Sequence, residues 1–229
     1  MCGRFTLRTP MPVLIEHFGL GRSPPLPPQF NIAPTQQVAV VRQPAGPGSR
    51  ELAMLRWGLI PSWAKDPAIG NRMINARGET VAEKPSFRAA LRHHRCLIAA
   101  DGFYEWHRIG RSKQPYFIHR TDDGPMAFAG LWDSWRAPAP QPMELETCTI
   151  ITTQANELMQ AIHDRMPVIV PPEQYALWLD PQVGNPAVLT PVLAPCPSHG
   201  LRADPVSTYV NSPRHDGPRC IEIEYPESN

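Results

Sequence analysis

The sequence predicts a single α+β domain, residues 1–229, whose strands pair mainly antiparallel. Three observations carry this. The 229 residues are ample for one substantial core. Strand-like and helix-like runs follow one another in irregular order, not in βαβ alternation. No internal repeat, phosphate loop, G-x-S-x-G or H-E-x-x-H motif interrupts them.

Taken in order, residues 11–18 (Met-Pro-Val-Leu-Ile-Glu-His-Phe) read as a short helix, with Thr9 available as its cap. The proline-rich stretch from Ser23 to Pro28 ends it. Val38–Val41 and Leu52–Trp57 read as two strands of a hairpin joined through Pro44–Gly48. The run Trp57-Gly58-Leu59-Ile60-Pro61-Ser62-Trp63 holds too much Gly and Pro to be regular and sets Trp63 on a loop. A Trp there is either a core anchor or, beside many arginines, a platform for base stacking.

Asn75-Ala76-Arg77-Gly78-Glu79-Thr80 gathers an amide, a cation and a carboxylate ahead of a helix from Phe87 to His94. Cys96–Ala100 reads as a buried strand leading into Asp101-Gly102-Phe103-Tyr104-Glu105-Trp106. There, alternation sets Phe103, Glu105 and His107 on one face and Tyr104 and Trp106 on the other. Tyr116–Ile118, Met126–Trp132, Thr147–Thr152, Val168–Val170 and Ile221–Ile223 read as further strands, and Pro172–Leu179 as a helix. The short proline clusters, Ala137–Pro142 included, read as surface loops.

Five cysteines, odd in number and with no C-x-x-C pair, suggest neither a disulfide framework nor a zinc site. His93-His94-Arg95-Cys96 has the residue types of a ligand set, but a helix end running into a strand accounts for it. No hydrophobic run reaches the length of a membrane span and the N-terminus has no apolar leader, so the expectation is a reducing cytoplasm and thiols kept as thiols.

Net charge is +1, yet residues 1–120 hold 17 Lys+Arg against 7 Asp+Glu, and residues 121–229 hold 5 against 14. The imbalance permits a basic face for a polyanion; codon bias in a GC-rich genome explains it equally well. Nineteen of the 22 basic residues are Arg, whose planar fork suits phosphate.

Position gives Cys2 its chemistry. Once Met1 is removed, Cys2 carries a thiol and a free α-amine on adjacent carbons, a 1,2-aminothiol. The amine condenses with an aldehyde to an imine, and the thiol then closes a five-membered thiazolidine, a reaction closed to internal cysteines. The two groups ordinarily titrate near about 8.5 and about 7.7–8.0, so both have usable deprotonated fractions near neutrality. The bland alternative is a cysteine in a disordered tail. His163, between a polar helical stretch and a strand, gains value if it meets Cys2 and Glu105 in space, because His and a partly desolvated Glu are natural proton shuttles.

Cys2-Gly3-Arg4-Phe5, Asn31-Ile32-Ala33-Pro34, Trp57 to Trp63, Asn75-Ala76-Arg77, Asp101 to Trp106, His163-Asp164-Arg165-Met166-Pro167, and Val206-Ser207 to Val210-Asn211 together resemble the SRAP (SOS response-associated peptidase) family. The resemblance spans nearly the whole chain. It implies a β-barrel-like core with flanking short helices and a basic cleft. It also implies a monomer without cofactor, metal or membrane, which shields abasic sites in single-stranded DNA through a thiazolidine cross-link to Cys2.

On the matched positions, Cys2 is the nucleophile, Asn75 orients it or the opened sugar, and Glu105 and His163 move protons. Arg4, Arg77 and Arg165 hold phosphates; Asn31, Pro34 and Trp63 shape or stack the DNA; Thr152 lines the site. Two positions depart from the pattern. Pro85 stands where some members carry a basic residue, with Lys84 or Arg88 as substitutes, and Ser212-Pro213 follows Asn211. Two other readings stay open: a cysteine (auto)peptidase that uses Cys2 with its own amine as base, and a non-covalent reader of modified bases.

Overall fold

A computed structural model of the chain describes residues 2–44, 50–110, 112–137 and 143–224. Met1, most of the Pro44–Gly48 connection and most of the Ala137–Pro142 cluster lie outside the described residues. In chain order the strands are β1 (Phe5–Leu7), β2 (Gln29–Ile32), β3 (Gln37–Arg42), β4 (Glu51–Trp57), β5 (Asn75–Arg77), β6 (Arg95–Ala100), β7 (Gly102–Ile109), β8 (Ser112–Arg120), β9 (Met126–Arg136), β10 (Glu144–Gln154), β11 (Arg165–Pro167), β12 (Ile169–Val170) and β13 (Leu201–Pro205). The α-helices are short: α1 (Met11–Phe18), α2 (Arg88–His93), α3 (Glu157–Gln160), α4 (Tyr175–Leu179) and α5 (Pro186–Leu189). No described helix is long and apolar enough to cross a membrane.

Strands β10, β4, β3, β6 and β9 are hydrogen-bonded in that order, and β9 returns to pair with β10. The ring is therefore a closed five-stranded barrel, which leaves its members no free edge. β11 and β5 attach to β10, and β12 to β9. A separate sheet has the order β13-β8-β7-β1-β2.

The two systems meet on Phe5 of β1. Its fully buried ring packs edge-on against Trp57 (centroids 5.2 Å apart) and Phe128 (5.8 Å), and Phe103 of β7 packs against Phe128 from the other side (6.0 Å). Burying one such ring contributes roughly 1.5–3 kcal/mol. Three residues upstream, Cys2 is carried into the seam between the sheets.

The α+β class and the mainly antiparallel pairing hold, with a difference. β10 runs parallel to β4 and to β5, because the chain enters β10 from the same end as both. The turn that makes this possible follows β4. Gly58 has φ 129°, and a Cβ there would lie 2.6 Å from the Gly70 carbonyl oxygen, so only glycine fits. The chain leaves β4 there, runs through the Trp63 loop and returns as β5 beside β10.

Three local expectations are corrected. Thr9 is not the cap of α1: Pro10 occupies that position without a side-chain cap, and Thr9 Oγ1 donates to the Asp101 carboxylate. Asp101, fully enclosed at the β6–β7 corner, also accepts from the Thr9 backbone N–H at 3.1 Å. Ile221–Ile223 is no strand, since a 3₁₀ turn covers Pro218–Ile221 and Ile223 makes one isolated bridge to Val206. The expected Pro172–Leu179 helix splits into a 3₁₀ turn, Pro172–Gln174, and α4.

Candidate active site around Cys2

Cys2 is fully buried just before β1, where the five-stranded sheet faces β5 of the barrel system. From the barrel side, Asn75 Nδ2 donates to the Cys2 carbonyl oxygen at 2.8 Å. Asn75 Oδ1 is buried with no partner among the described residues, leaving one acceptor for a further N–H or O–H.

From the other side, β7 presents Glu105, which is 4% exposed. Burial pushes its carboxyl above the ordinary value of 4.5, opposed in part by the charge of His163. Burial also pushes the Cys2 thiol well up, and the neighbouring Glu105 charge adds to that rise. Glu105 thus couples electrostatically to both Cys2 and His163, three residues drawn from distant parts of the chain.

His163 follows α3 and precedes β11. Its Nδ1 accepts the Arg165 backbone N–H at 2.9 Å and lies 2.8 Å from the Asp164 carboxylate.

The outer rim is built on β5, β10 and β11. In register, Thr152 stands opposite Arg77 on one side and Pro167 on the other. Thr152 Oγ1 donates to the Ala76 carbonyl at 3.4 Å. Arg165 reaches back over Thr152: Nη2 donates to its carbonyl at 2.8 Å, and both Nη groups engage the Glu79 carboxylate in a bidentate pair. Arg165 holds the Glu79 carboxyl below its ordinary value. Arg77 is exposed and makes no ion pair among the described residues.

Arg4 and Asn31 are turned to another task. Arg4 Nη1 donates to Asn31 Oδ1 (2.9 Å) and to the Val210 carbonyl (3.1 Å), and Nη2 donates to the Asn211 carbonyl (3.4 Å). Asn31 Nδ2 donates to the carbonyls of Val210, Ser212 and His215. Together they pin the segment after β13 against the five-stranded sheet, and Trp106 Nε1 adds a bond to Asn211 Oδ1 at 2.7 Å. Burial lowers the Arg4 pKa from its ordinary value.

Pro34 is half-buried and precedes Thr35, a β-branched residue held at φ 75°. Trp63 stands 59% exposed on its loop, which is fastened on both sides: Ser62 N–H donates to Asp133 and the Ala64 carbonyl accepts from Trp135 Nε1. Pro85 is exposed between Lys84 and the N-terminal end of α2.

Among the described residues no group of three or more His, Cys, Asp or Glu side chains could hold a metal ion. A cavity of about 500 Å³ lined by His17, Tyr175 and Cys196, among others, shares no residue with this site.

The chain was compared with known proteins. The family model described as SOS response associated peptidase (SRAP) matches residues 1–213. The chain belongs to the SRAP family. Among SRAP relatives, the abasic site processing protein YoqW of Bacillus subtilis is 46% identical over 226 residues, covering 97% of this chain and 99% of that one. The abasic site processing protein HMCES of Xenopus tropicalis is 33% identical, covering 88% of this chain and 68% of its own. A crystal structure of a protein from Bacteroides thetaiotaomicron superposes with a TM-score of 0.88 at 26% identity, covering 98% of this chain and all of that one.

The SRAP motifs therefore correspond to spatial neighbours. Asn75 is bonded to Cys2, and Glu105 lies close enough to feel the charges of both Cys2 and His163; Thr152, Arg77 and Arg165 adjoin Asn75 along β5, β10 and β11, while Arg4 and Asn31 hold the C-terminal segment. Sequence reading singled out neither Glu79 nor Trp106 as a site residue. Glu79 sits in the same motif as Arg77, and its partner Arg165 is 86 residues away, so no local signal joins them.

Proposed function

We propose that the protein processes abasic sites in single-stranded DNA by forming a thiazolidine between Cys2, after removal of Met1, and the ring-opened sugar aldehyde. The observation that carries this reading is the enclosure of Cys2 between Asn75, bonded to its carbonyl, and the buried acid Glu105. The names of its relatives, abasic site processing proteins, support the substrate class.

The chemistry orders the steps: Sγ closes the ring by adding to the imine carbon, so the amine leads, and burial, which pushes the Cys2 thiol up, disfavours a free thiolate that would attack first. Its nitrogen attacks the aldehyde carbon, and Glu105, which holds its proton to higher pH than an ordinary carboxyl, protonates the departing hydroxyl as water leaves. Sγ then adds to the imine carbon. The C–S bond forms, the thiol proton passes to nitrogen by way of Glu105 or His163, and one water is lost overall. Asn75 Oδ1 is the acceptor available to an N–H of the reacting amine. His163 is the second proton carrier, acting on the sugar hemiacetal during ring opening.

Retained Met1 would turn the reacting amine into a peptide nitrogen, whose lone pair is delocalised and inert to aldehydes. Removal of the leading residue by an aminopeptidase, or by the protein itself, is therefore a maturation step. Single-strand preference follows from Trp63, whose exposed ring can stack on bases only where pairing is lost.

Intact-mass measurement after incubation with abasic single-stranded DNA tests the reading. The expected adduct has the mass of protein lacking Met1 plus DNA minus one water, survives denaturation, and disappears in Cys2→Ala. An equally stable adduct in Cys2→Ala, or at full yield with Met1 retained, overturns it.

A further inference from the structure

Among the residues placed at the rim, Arg165 is not free to receive a phosphate with its whole fork. A guanidinium has five N–H donors. Three are engaged, two on the Glu79 carboxylate and one on the Thr152 carbonyl, the last shared with Thr152 Oγ1 at 3.3 Å. A fourth, on Nε, is buried with no partner among the described residues. One Nη1 hydrogen remains. The fork that fits a phosphate bidentately is filled by a carboxylate in the geometry a phosphate would use.

Glu79 is nonetheless exchangeable. Its side chain is 41% exposed against 14% for Arg165, so the carboxylate can swing into solvent while the guanidinium stays seated on Thr152. Its neighbour Arg77 is exposed two residues away. With Glu79 in place, Arg77, Arg165 and Glu79 sum to a single positive charge; with Glu79 displaced or neutralised, the rim presents two.

We propose that Glu79 is a positioning residue that stands in for a DNA backbone phosphate on Arg165 and is exchanged for that phosphate when a strand docks. The proposal rests on the reading of Arg165 as a phosphate ligand given above. In the free protein, Glu79 holds the guanidinium bidentate, in register with Thr152. On docking, the phosphate must win the fork from it. The competition weakens binding of any strand that places a phosphate on Arg165, so undamaged DNA, held by such contacts alone, is released more readily than a strand anchored through Cys2.

The test uses undamaged single-stranded oligonucleotide and fluorescence anisotropy at several salt concentrations, with Glu79→Gln, Arg165→Ala and the double variant. Glu79→Gln is expected to bind roughly three- to tenfold tighter, because no carboxylate has to be displaced, and to keep a log–log salt slope close to that of wild type, since Arg165 neutralises the same phosphate in both. Arg165→Ala is expected to weaken binding, and the double variant to match Arg165→Ala, because Glu79 acts only through Arg165. If Glu79→Gln binds no tighter while Arg165→Ala still weakens binding, Glu79 merely orients the arginine and the exchange is wrong. If Arg165→Ala binds like wild type, the phosphate assignment itself fails. Tighter binding by Glu79→Gln that persists in the Arg165→Ala background would instead mark a general loss of negative charge and also overturn the exchange. Glu79→Ala, which removes the amide as well, repeats the comparison should Glu79→Gln retain a hydrogen bond that masks the effect.

Discussion

Two carboxylates flank the Cys2 site in opposite surroundings. Glu105 is enclosed in the inner pocket, and burial raises its pKa; Glu79 lies at the rim, and the Arg165 guanidinium lowers its pKa. The inner pocket is governed by desolvation, which disfavours charge and makes a carboxyl a proton carrier. The rim is governed by pairing, which favours charge and makes a carboxylate an anion that occupies a cation. The same side chain thus becomes an acid in one place and a phosphate stand-in in the other, and burial against pairing decides which.

The largest expected effect breaks the inner half of this comparison. Glu105→Gln keeps shape but removes the mobile proton, and His163→Ala removes its partner. Each is expected to slow adduct formation by about 10²–10⁴-fold in single-turnover assays at saturating abasic DNA, with anisotropy still reporting DNA binding. Equal rates in wild type and both variants would take acid–base work away from the pocket.

Next comes Arg4, a cation held by carbonyls where Arg165 is held by a carboxylate. Arg4→Ala leaves Asn31 Oδ1 and the Val210 and Asn211 carbonyls without their charged donor. Urea unfolding is expected to show a loss on the order of 2–3 kcal/mol. Arg77→Ala, at an exposed side chain, should stay within about 0.5 kcal/mol of wild type. A negligible loss in Arg4→Ala would show that the C-terminal segment is held without it.

A smaller effect separates the rim from the pocket by salt. Arg77→Ala is expected to flatten the log–log salt dependence of binding to undamaged single strands by about 0.7, one phosphate contact. An unchanged slope would remove Arg77 from the phosphate path and leave the basic surplus of residues 1–120 without that role.

The finest distinction is in pH and has opposite signs. Glu105 binds its proton more tightly folded than unfolded. The stability it contributes is fully present below its unfolded pKa near 4.5 and is lost as pH rises through the higher folded value. Glu105→Gln should therefore gain stability relative to wild type as pH climbs from about 4.5. Glu79 has a lowered folded pKa, so its contribution is present above its unfolded value and is lost as pH falls through the folded one. Glu79→Gln should therefore lose stability relative to wild type at neutral pH and converge with it in acid. Being partly exposed, that pair is worth no more than about 1 kcal/mol. Thermal melts across pH 3 to 8 check both signs, and parallel curves for the two variants would refute the contrast.

Much of this molecule is written locally. The apolar runs at Val38–Val41, Leu52–Trp57, Cys96–Ala100, Met126–Trp132 and Thr147–Thr152 each lie within a strand, because a buried strand needs only its own side chains to announce it. α1 and α2 were legible for the same reason. The short strands β1, β2, β5, β11 and β13 were not, since three to five residues carry too little pattern and are held by neighbours far along the chain. Thr9 looked like a cap only until Asp101, 92 residues away, offered its carboxylate. Ile221–Ile223 had strand composition, but Pro218 starts a 3₁₀ turn just ahead of it.

At the site, the sequence alone determined which residues have the right chemistry: a cysteine behind the initiator methionine, an alternation that sets Glu105 apart from Trp106, and arginines within the motifs that resemble the SRAP family. Only the tertiary structure decided what each is paired with. It committed Arg4 and Asn31 to carbonyls of residues 210–215, placed Asn75 on the Cys2 carbonyl, and filled the Arg165 fork with Glu79. Residue type sets what a group can donate, accept or release. Its proton affinity and its freedom to take a ligand depend on burial and on charges brought close in space, and those distances are set by how the barrel, the five-stranded sheet and the C-terminal segment pack.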